Sequence, residues 1–418
     1  MVLVFAQQAT NRLSYVLDFA FKDKGVDYKI IHDQIEFANQ SATKLNYSSL
    51  DLDADYQVEP SGVLFEEEID PNLKLERGKD GLEIRGTADE LSVVFYLLSR
   101  YEEYVNPNKD EFGRFSAKES QLYQFGLIDR PICDELIMEL WQRIGLDYQE
   151  VLKRFECVPS FDIDVAWAYK GRPLWRTLGS IVKHGGEGRL KVLLNRQKDP
   201  YDTYSDIITY AAKVDRIICF ALLSDYGPKD KNINWKNFDY QSLLRGLNSS
   251  GGMGIHPGFN SFMNAKKQKE EIERLEEIVG HEVVKSRFHY LRFQLPESYD
   301  ILLENGIKKE YSMGYDDHVG FRAGTSFPFK YFQLHKNQQA ELLIFPFTYM
   351  DSTLKDQMKV KPDQAIELVT EMVDKVAQVG GLLMCIWHNH TINDKGEWEG
   401  WKKVLDETVS QALKHYKS

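Results

Sequence analysis

The sequence predicts an α/β protein in two parts: a smaller α/β domain over residues 1–150, then a parallel sheet or barrel with outer helices over residues 151–418. Three observations carry this reading. The chain has 418 residues, 43% hydrophobic and 12% aromatic, which is enough for a large core and for two domains. Beyond residue 150, continuous apolar runs alternate with amphipathic stretches. Strands buried on both faces and separated by helices give that pattern. Before about residue 147 the apolar pieces are shorter and the order of elements differs.

In chain order, MVLVF, DYKII, GVLFEE and GLEIRG read as short strands. Residues 88–104 read as a helix, because Leu91, Val94, Leu97 and Leu98 recur at helical spacing. The loop NPNKDEFGRFSAKES, rich in turn and charged residues, leads to a second helix over 132–144. In the second part the strands are FECVPSFDID, IICFALLS, GMGIHP, SRFHYLRF, ELLIFPFTYM and LLMCIWHN. Helices over 267–279 and 362–379 lie between them, the first with Ile272, Leu275, Ile278 and Val279 on one face, the second with Ile366, Val369, Met372, Val373 and Val376.

Charge excludes some functions. A formal net charge of -12 and a pI near 5.4 argue against nucleic acid, which needs clustered Lys and Arg. The acidic run over 51–70 has no Lys or Arg and reads as a solvated loop or edge. No stretch approaches the roughly 18 apolar residues of a membrane span, and MVLVFAQQAT lacks the basic start of a signal peptide. A cytoplasmic location is expected. Cys133, Cys157, Cys219 and Cys385 are widely spaced with no CxxC, so reduced core thiols are expected.

Four strand ends carry groups capable of metal or acid-base chemistry: Asp162 and Asp164, His256, Arg287 and His289, then His388 and His390. Of ten histidines, four fall there. Each has a plain alternative, since Asp-x-Asp can cap a helix and one His of WHNHT can pack while the other is solvated. In parallel α/β folds, however, ligands bind at the carboxyl ends of strands. Aspartate with histidines makes an oxygen and nitrogen site suited to zinc, with cobalt, manganese or iron as alternatives. Two carboxylates one residue apart can divide the labour, one as metal ligand and one as base.

The order FDID, GIHPGFNS, SRFHYLRF and LLMCIWHN resembles the NodB-type polysaccharide deacetylases, carbohydrate esterase family 4, whose domain is an irregular (β/α) barrel. The whole chain also resembles bacterial proteins that join an uncharacterised N-terminal α/β domain to such a domain, with GFRAGT and, more weakly, KLNYSS, LSRYEEY and FGRFSAKES as further signatures. The family pattern is TFDD, HxxxHP, RxPY or RxPF, and a final Leu-x-His.

The resemblance implies that Asp162 is the base and Asp164 a metal ligand; because Ile163 separates them, the reverse is the alternative. It implies that His256 is a ligand. The first histidine of HxxxHP is replaced by Gly252, and His289, in the place of the motif's proline, is the candidate substitute. Arg287 would orient the base, with Arg292 the alternative, and the Tyr290 backbone N–H would serve the oxyanion. His388 matches the general acid, while His390 is either a supporting group or the missing ligand. Trp167, Tyr290, Arg322 and Trp387 are the expected sugar contacts.

The function expected is metal-dependent removal of an N-acetyl or other acyl group from an amino sugar or polysaccharide intermediate. The alternative is an inactive carbohydrate-binding module on the same barrel. A phosphoesterase or glycosidase suits the residues less, because no strand end offers a paired glutamate. The partner expected is a carbohydrate, with no nucleic acid and no membrane span; oligomeric state is left open.

Overall fold

The computed structural model describes residues 1–79, 81–171, 187–194, 196–214 and 216–416. Its first strands, β1 (Val2–Ala6), β2 (Tyr28–Ile31), β3 (Thr43–Tyr47) and β4 (Tyr56–Val58), form a parallel sheet of order β2-β1-β3-β4. A small antiparallel pair follows, β5 (Leu75–Arg77) with β6 (Leu82–Ile84). GVLFEE is not a strand. Gly62 takes φ 92° and a single 3-10 turn, Val63–Phe65, follows; the Val63 carbonyl accepts from Arg12 Nη1 at 3.0 Å in place of a ladder bond.

The expected helix over 88–104 is broken in two, Glu90–Leu98 and Tyr101–Val105. Arg100 sits between them at φ 54°, which turns its guanidinium onto Glu102 and Glu103, each at 2.8 Å. The helix expected over 132–144 is Ile132–Arg143.

The second sheet has nine strands: β7 (Glu156–Ile163), β8 (Ile218–Ala221), β9 (Met253–Ile255), β10 (Lys285–Ser286), β11 (Lys309–Glu310), β12 (Phe329–Gln333), β13 (Gln338–Ile344), β14 (Tyr349–Met350) and β15 (Leu382–His388). Their order is β12-β13-β11-β10-β9-β8-β7-β15-β14, parallel except for the β12/β13 hairpin. The expected barrel is thus corrected to an open sheet among the described residues. The hairpin ends one edge, and β14, two residues long, ends the other.

Helices fill the crossovers. Pro362–Val379 starts on a proline, whose missing N–H costs nothing in the first turn, and ends at Gly380 in the left-handed region. Ala265–Val279 is capped by the Asn264 side chain and ends at Gly280 in the same way. SRFHYLRF yields only β10; Tyr290 and Leu291 adopt φ 60° and 50°, which no strand allows. One apolar cluster runs through both sheets, from Val2 and Val4 to Leu405 and Val409. All four cysteines are buried and unbridged.

Candidate metal and acid-base site

The parallel ladder between β7 and β15 sets His388 directly opposite Asp162. On the other flank, β8 and β9 bring in His256, one residue past Ile255, and β10 leads into Arg287 and His289. Gly258 permits the approach of the β9 end, since a Cβ there would stand 2.4 Å from the Ser224 Cβ and 2.9 Å from Asp230 Oδ2. Asp162, Asp164, His256, His289, His388 and His390 line one cleft of about 300 Å³ at the carboxyl ends of the strands.

Three imidazoles aim Nε2 at Asp164. His256 lies 3.3 Å from Oδ1, and His289 and His388 lie 3.5 Å and 3.7 Å from Oδ2. Each ring is held from behind through Nδ1: His256 by the Arg287 carbonyl at 2.6 Å, His289 by Asp230 Oδ1 at 2.9 Å, His388 by Asp351 Oδ1 at 2.9 Å. Carbonyls and carboxylates only accept, so in each neutral ring Nδ1 bears the proton and Nε2 offers its lone pair inward.

These residues fit a divalent cation. Ligand atoms of Asp164, His256 and His289 all lie within 4.8 Å of one another. Asp164 Oδ1 is buried with no hydrogen-bond partner among the described residues, which is costly unless something else satisfies it. One carboxylate oxygen and two imidazole nitrogens are donors that zinc, cobalt, manganese or iron accept.

Electrostatics agree with a site built to hold positive charge. Burial pushes the Asp164 carboxyl up, and His289 with His256 reverses this, leaving it well below the usual carboxylate range. Burial lowers His289, yet Asp164 and Asp230 raise it to about 9. His388 is likewise lowered by burial and raised, chiefly by Asp351, to about 10. A metal ion would compete for the lone pairs that otherwise take these protons.

Arg287, fully buried, donates from Nη1 to Asp162 Oδ1 at 2.9 Å, from Nη2 to Ser160 Oγ at 2.8 Å and from Nε to the Tyr311 carbonyl at 3.0 Å. That commits one oxygen of Asp162 and leaves Oδ2, 3.8 Å from His256 Nε2. Arg292 points elsewhere, to the carbonyls of Phe112 and Phe259. Tyr290 stands at the cleft rim, 37% exposed. His390 lines the cleft beside His388, its ring centroid 5.5 Å away.

Three expected sugar contacts lie outside the cleft. Trp167 packs in the core against Tyr240, and Trp387, with no exposed surface, packs edge-on to Tyr349 beneath the sheet end. In both cases the apolar ring was worth more buried than at a surface. Arg322 is bound bidentately by Glu103 at 2.8 Å and 2.6 Å, so its donors are consumed inside the protein.

The cleft instead takes Trp398, Arg114 and Asp316. Burial raises Asp316 to about 6 even though Arg114, 2.7 Å away, pulls it down. Asp316 belongs to the loop YSMGYDDHVGFRAGT, whose aspartates and Arg322 pointed toward a sugar; Trp398, Arg114, Asp351 and Asp230 were missed. Asp351 follows β14 directly, so the strand-end signal that exposed Asp162 was available for it; Asp230 sits in the turn-rich stretch DYGPKDKN and gave none.

A family model described as a family of unknown function, DUF7033, matches residues 2–149. No curated protein matches the chain. Among solved structures, a protein of Mycobacterium smegmatis and one of Pseudomonas aeruginosa PAO1, each assigned as a polysaccharide deacetylase, align with 14% and 11% identity and TM-scores of 0.39 and 0.41. Each alignment covers 63% of this chain, with 90% and 86% of the respective neighbour. The polysaccharide deacetylase Bc1974 from Bacillus cereus aligns at 13% identity and TM-score 0.28, over 63% of this chain and 87% of its own.

Proposed function

We propose that the protein is a metal-dependent hydrolase that removes an N-acetyl or other acyl group from an amino sugar or a polysaccharide intermediate. The observation that carries this reading is the convergence of three back-braced imidazoles on Asp164, beside an aspartate clamped by a buried arginine. A divalent cation, zinc by preference, would be held by Asp164, His256 and His289 and would supply positive charge toward an acyl oxygen. In this reading the replacement for the histidine missing at Gly252 is His289.

The chain's own groups divide the remaining work. Asp162, fixed by Arg287 on one oxygen, takes a proton from the attacking water with the other. His388, oriented by Asp351, gives a proton to the departing nitrogen. Tyr290 and Trp398 offer aromatic surface to a pyranose ring, and Asp316, held by Arg114 through Oδ2, offers its other carboxylate oxygen to a hydroxyl. No helix among the described residues is long and apolar enough to cross a membrane, and a cytoplasmic intermediate of glycan synthesis is the substrate we favour.

The test is elemental analysis of untagged protein together with acetate release from N-acetylated glucosamine oligomers. Asp164→Ala should lose both metal and turnover. Asp162→Asn should keep the metal and lose about 10²–10⁴ in kcat. The opposite pattern would exchange the two roles, and metal-free wild type after soaking in divalent salts would sink the reading.

A further inference from the structure

Within residues 287–294, two consecutive residues are held in a conformation that L-residues avoid. Tyr290 and Leu291 both lie in the left-handed region, at φ 60° and 50°, and such backbone persists only where its surroundings over-determine it. From within the sheet end, the His289 N–H donates to the Pro257 carbonyl at 3.1 Å. The Phe288 N–H donates to Ser312 Oγ at 2.8 Å, Arg292 Nη1 donates to the Phe259 carbonyl at 3.1 Å, and Asp230 holds the His289 ring. A further restraint comes from a part of the chain far away in sequence.

That part is the turn over residues 110–114. Arg114 Nη1 donates to the Tyr290 carbonyl at 3.0 Å, Arg292 Nε donates to the Phe112 carbonyl at 2.9 Å, and Gln294 Nε2 donates to the Gly113 carbonyl at 2.9 Å. The Phe112 and Tyr290 rings stand 5.9 Å apart. The two segments are therefore zipped together residue by residue.

The turn is rigid in its own right. Asp110 Oδ1 accepts from the N–H groups of Phe112 at 2.9 Å and Arg114 at 2.8 Å, while Oδ2 holds Arg114 Nε at 2.7 Å. Gly113 takes φ 80°, and a Cβ there would meet Gln294 Nε2 at 2.8 Å. Arg114 Nη2 then crosses to Asp316 Oδ2 at 2.7 Å on the far side of the cleft. One planar guanidinium thus ties three segments, which the single point charge of a lysine cannot do.

We infer that the 110–114 turn is a positioning element of the site: it fixes the backbone that carries His289 and makes Arg114 part of the cleft wall. Its consequence for metal binding rests on the function proposed above; its geometry does not. On this account the segment matched by the family model, residues 2–149, completes the cleft.

The experiment compares Arg114→Ala, Arg114→Lys and Gln294→Ala with wild type by amide hydrogen exchange and by cobalt(II) titration followed in the visible spectrum. Arg130→Ala, which removes an exposed ion pair to Glu135, is the control. Exchange over residues 287–294 should rise at least tenfold in Arg114→Ala and Arg114→Lys and less in Gln294→Ala, with β7 and β15 unchanged. Cobalt affinity should fall about 10–100-fold in Arg114→Ala. Removing a cation would by itself tighten cobalt binding, so the sign separates positioning from simple electrostatics. Unchanged exchange over 287–294 in Arg114→Ala and Gln294→Ala would overturn the inference. Raised exchange in a protein whose wild type binds no cobalt would uphold the positioning role and overturn the metal reading instead.

Discussion

Two clusters of buried charge lie within this fold, and they are finished differently. In one, Arg100 pairs with Glu102 and Glu103, and Arg322 clasps Glu103, all with side chains 2–5% exposed. Two cations meet two carboxylates. Burial pushes the Glu103 carboxyl up, and Arg322 with Arg100 more than reverses this, to about 2. In the other, Asp164 keeps an oxygen without a hydrogen-bond partner while three Nε2 atoms face it. Since burying charge is costly unless it is paired, the first cluster shows that this chain can close such a set when only structure is at stake. The second is left open where chemistry is proposed.

Breaking the closed cluster should have the largest effect on stability. Glu103→Gln leaves Arg322 and Arg100 under-compensated and should cost about 3–5 kcal/mol in denaturant unfolding, with metal content of the folded protein unchanged. Because Glu103 titrates lower in the folded state than its ordinary 4.5, its contribution is full above pH 4.5 and fades as pH falls toward about 2. The variant should lack that acid-side loss. A change in bound metal at unchanged stability would erase the distinction between the clusters.

A smaller effect separates pairing from mere burial. Glu310, at the end of β11, accepts from the Ser312 N–H at 2.7 Å and the Tyr299 hydroxyl at 2.6 Å, and Arg287 only partly offsets its burial. Burial raises it to about 7. The folded state therefore holds this proton more tightly than the unfolded chain, and stability should decline as pH rises from 4.5 through about 7. The shift corresponds to about 3 kcal/mol across that window. Glu310→Gln should flatten the decline in unfolding free energy measured from pH 4 to 8; an unaltered slope would show that another group titrates.

The smallest effect concerns the aromatic residues misread as sugar contacts. Trp387 is fully buried and its Nε1 has no hydrogen-bond acceptor among the described residues. Trp387→Phe should lose packing volume but also an unsatisfied donor, for a net cost of about 1 kcal/mol, and should leave the KM for an oligosaccharide where it was. A severalfold rise in KM would return Trp387 to the site.

What could be read from the sequence was whatever had a local cause. The helix Pro362–Val379 matches its periodicity from end to end, and the strand ends carrying Asp162, His256 and His388 are where apolar runs stopped, whereas His289 falls three residues past β10, inside the run SRFHYLRF. What could not be read depended on partners brought from elsewhere. At the helix break by Arg100, Glu103 Oε1 accepts from both Arg100 Nε and the distant Arg322 Nε, each at 2.8 Å. Arg322 looked like a substrate ligand because Glu103, its counter-ion, lies in the first part of the chain. Asp230 and Arg114 gave no signal, since their roles exist only once His289 and Tyr290 have been folded against them.

The pairing of β7 with β15 has a consequence for the timing of synthesis. β7 can pair with β8 early, but its other neighbour is the strand that ends at His388, and Asp162 and His388 face each other across that one ladder. A ribosome that has released Asp162 must still deliver every intervening element before the proposed base and acid stand side by side. On the proposed reading, the emerging polypeptide lacks its acid until the last strand docks.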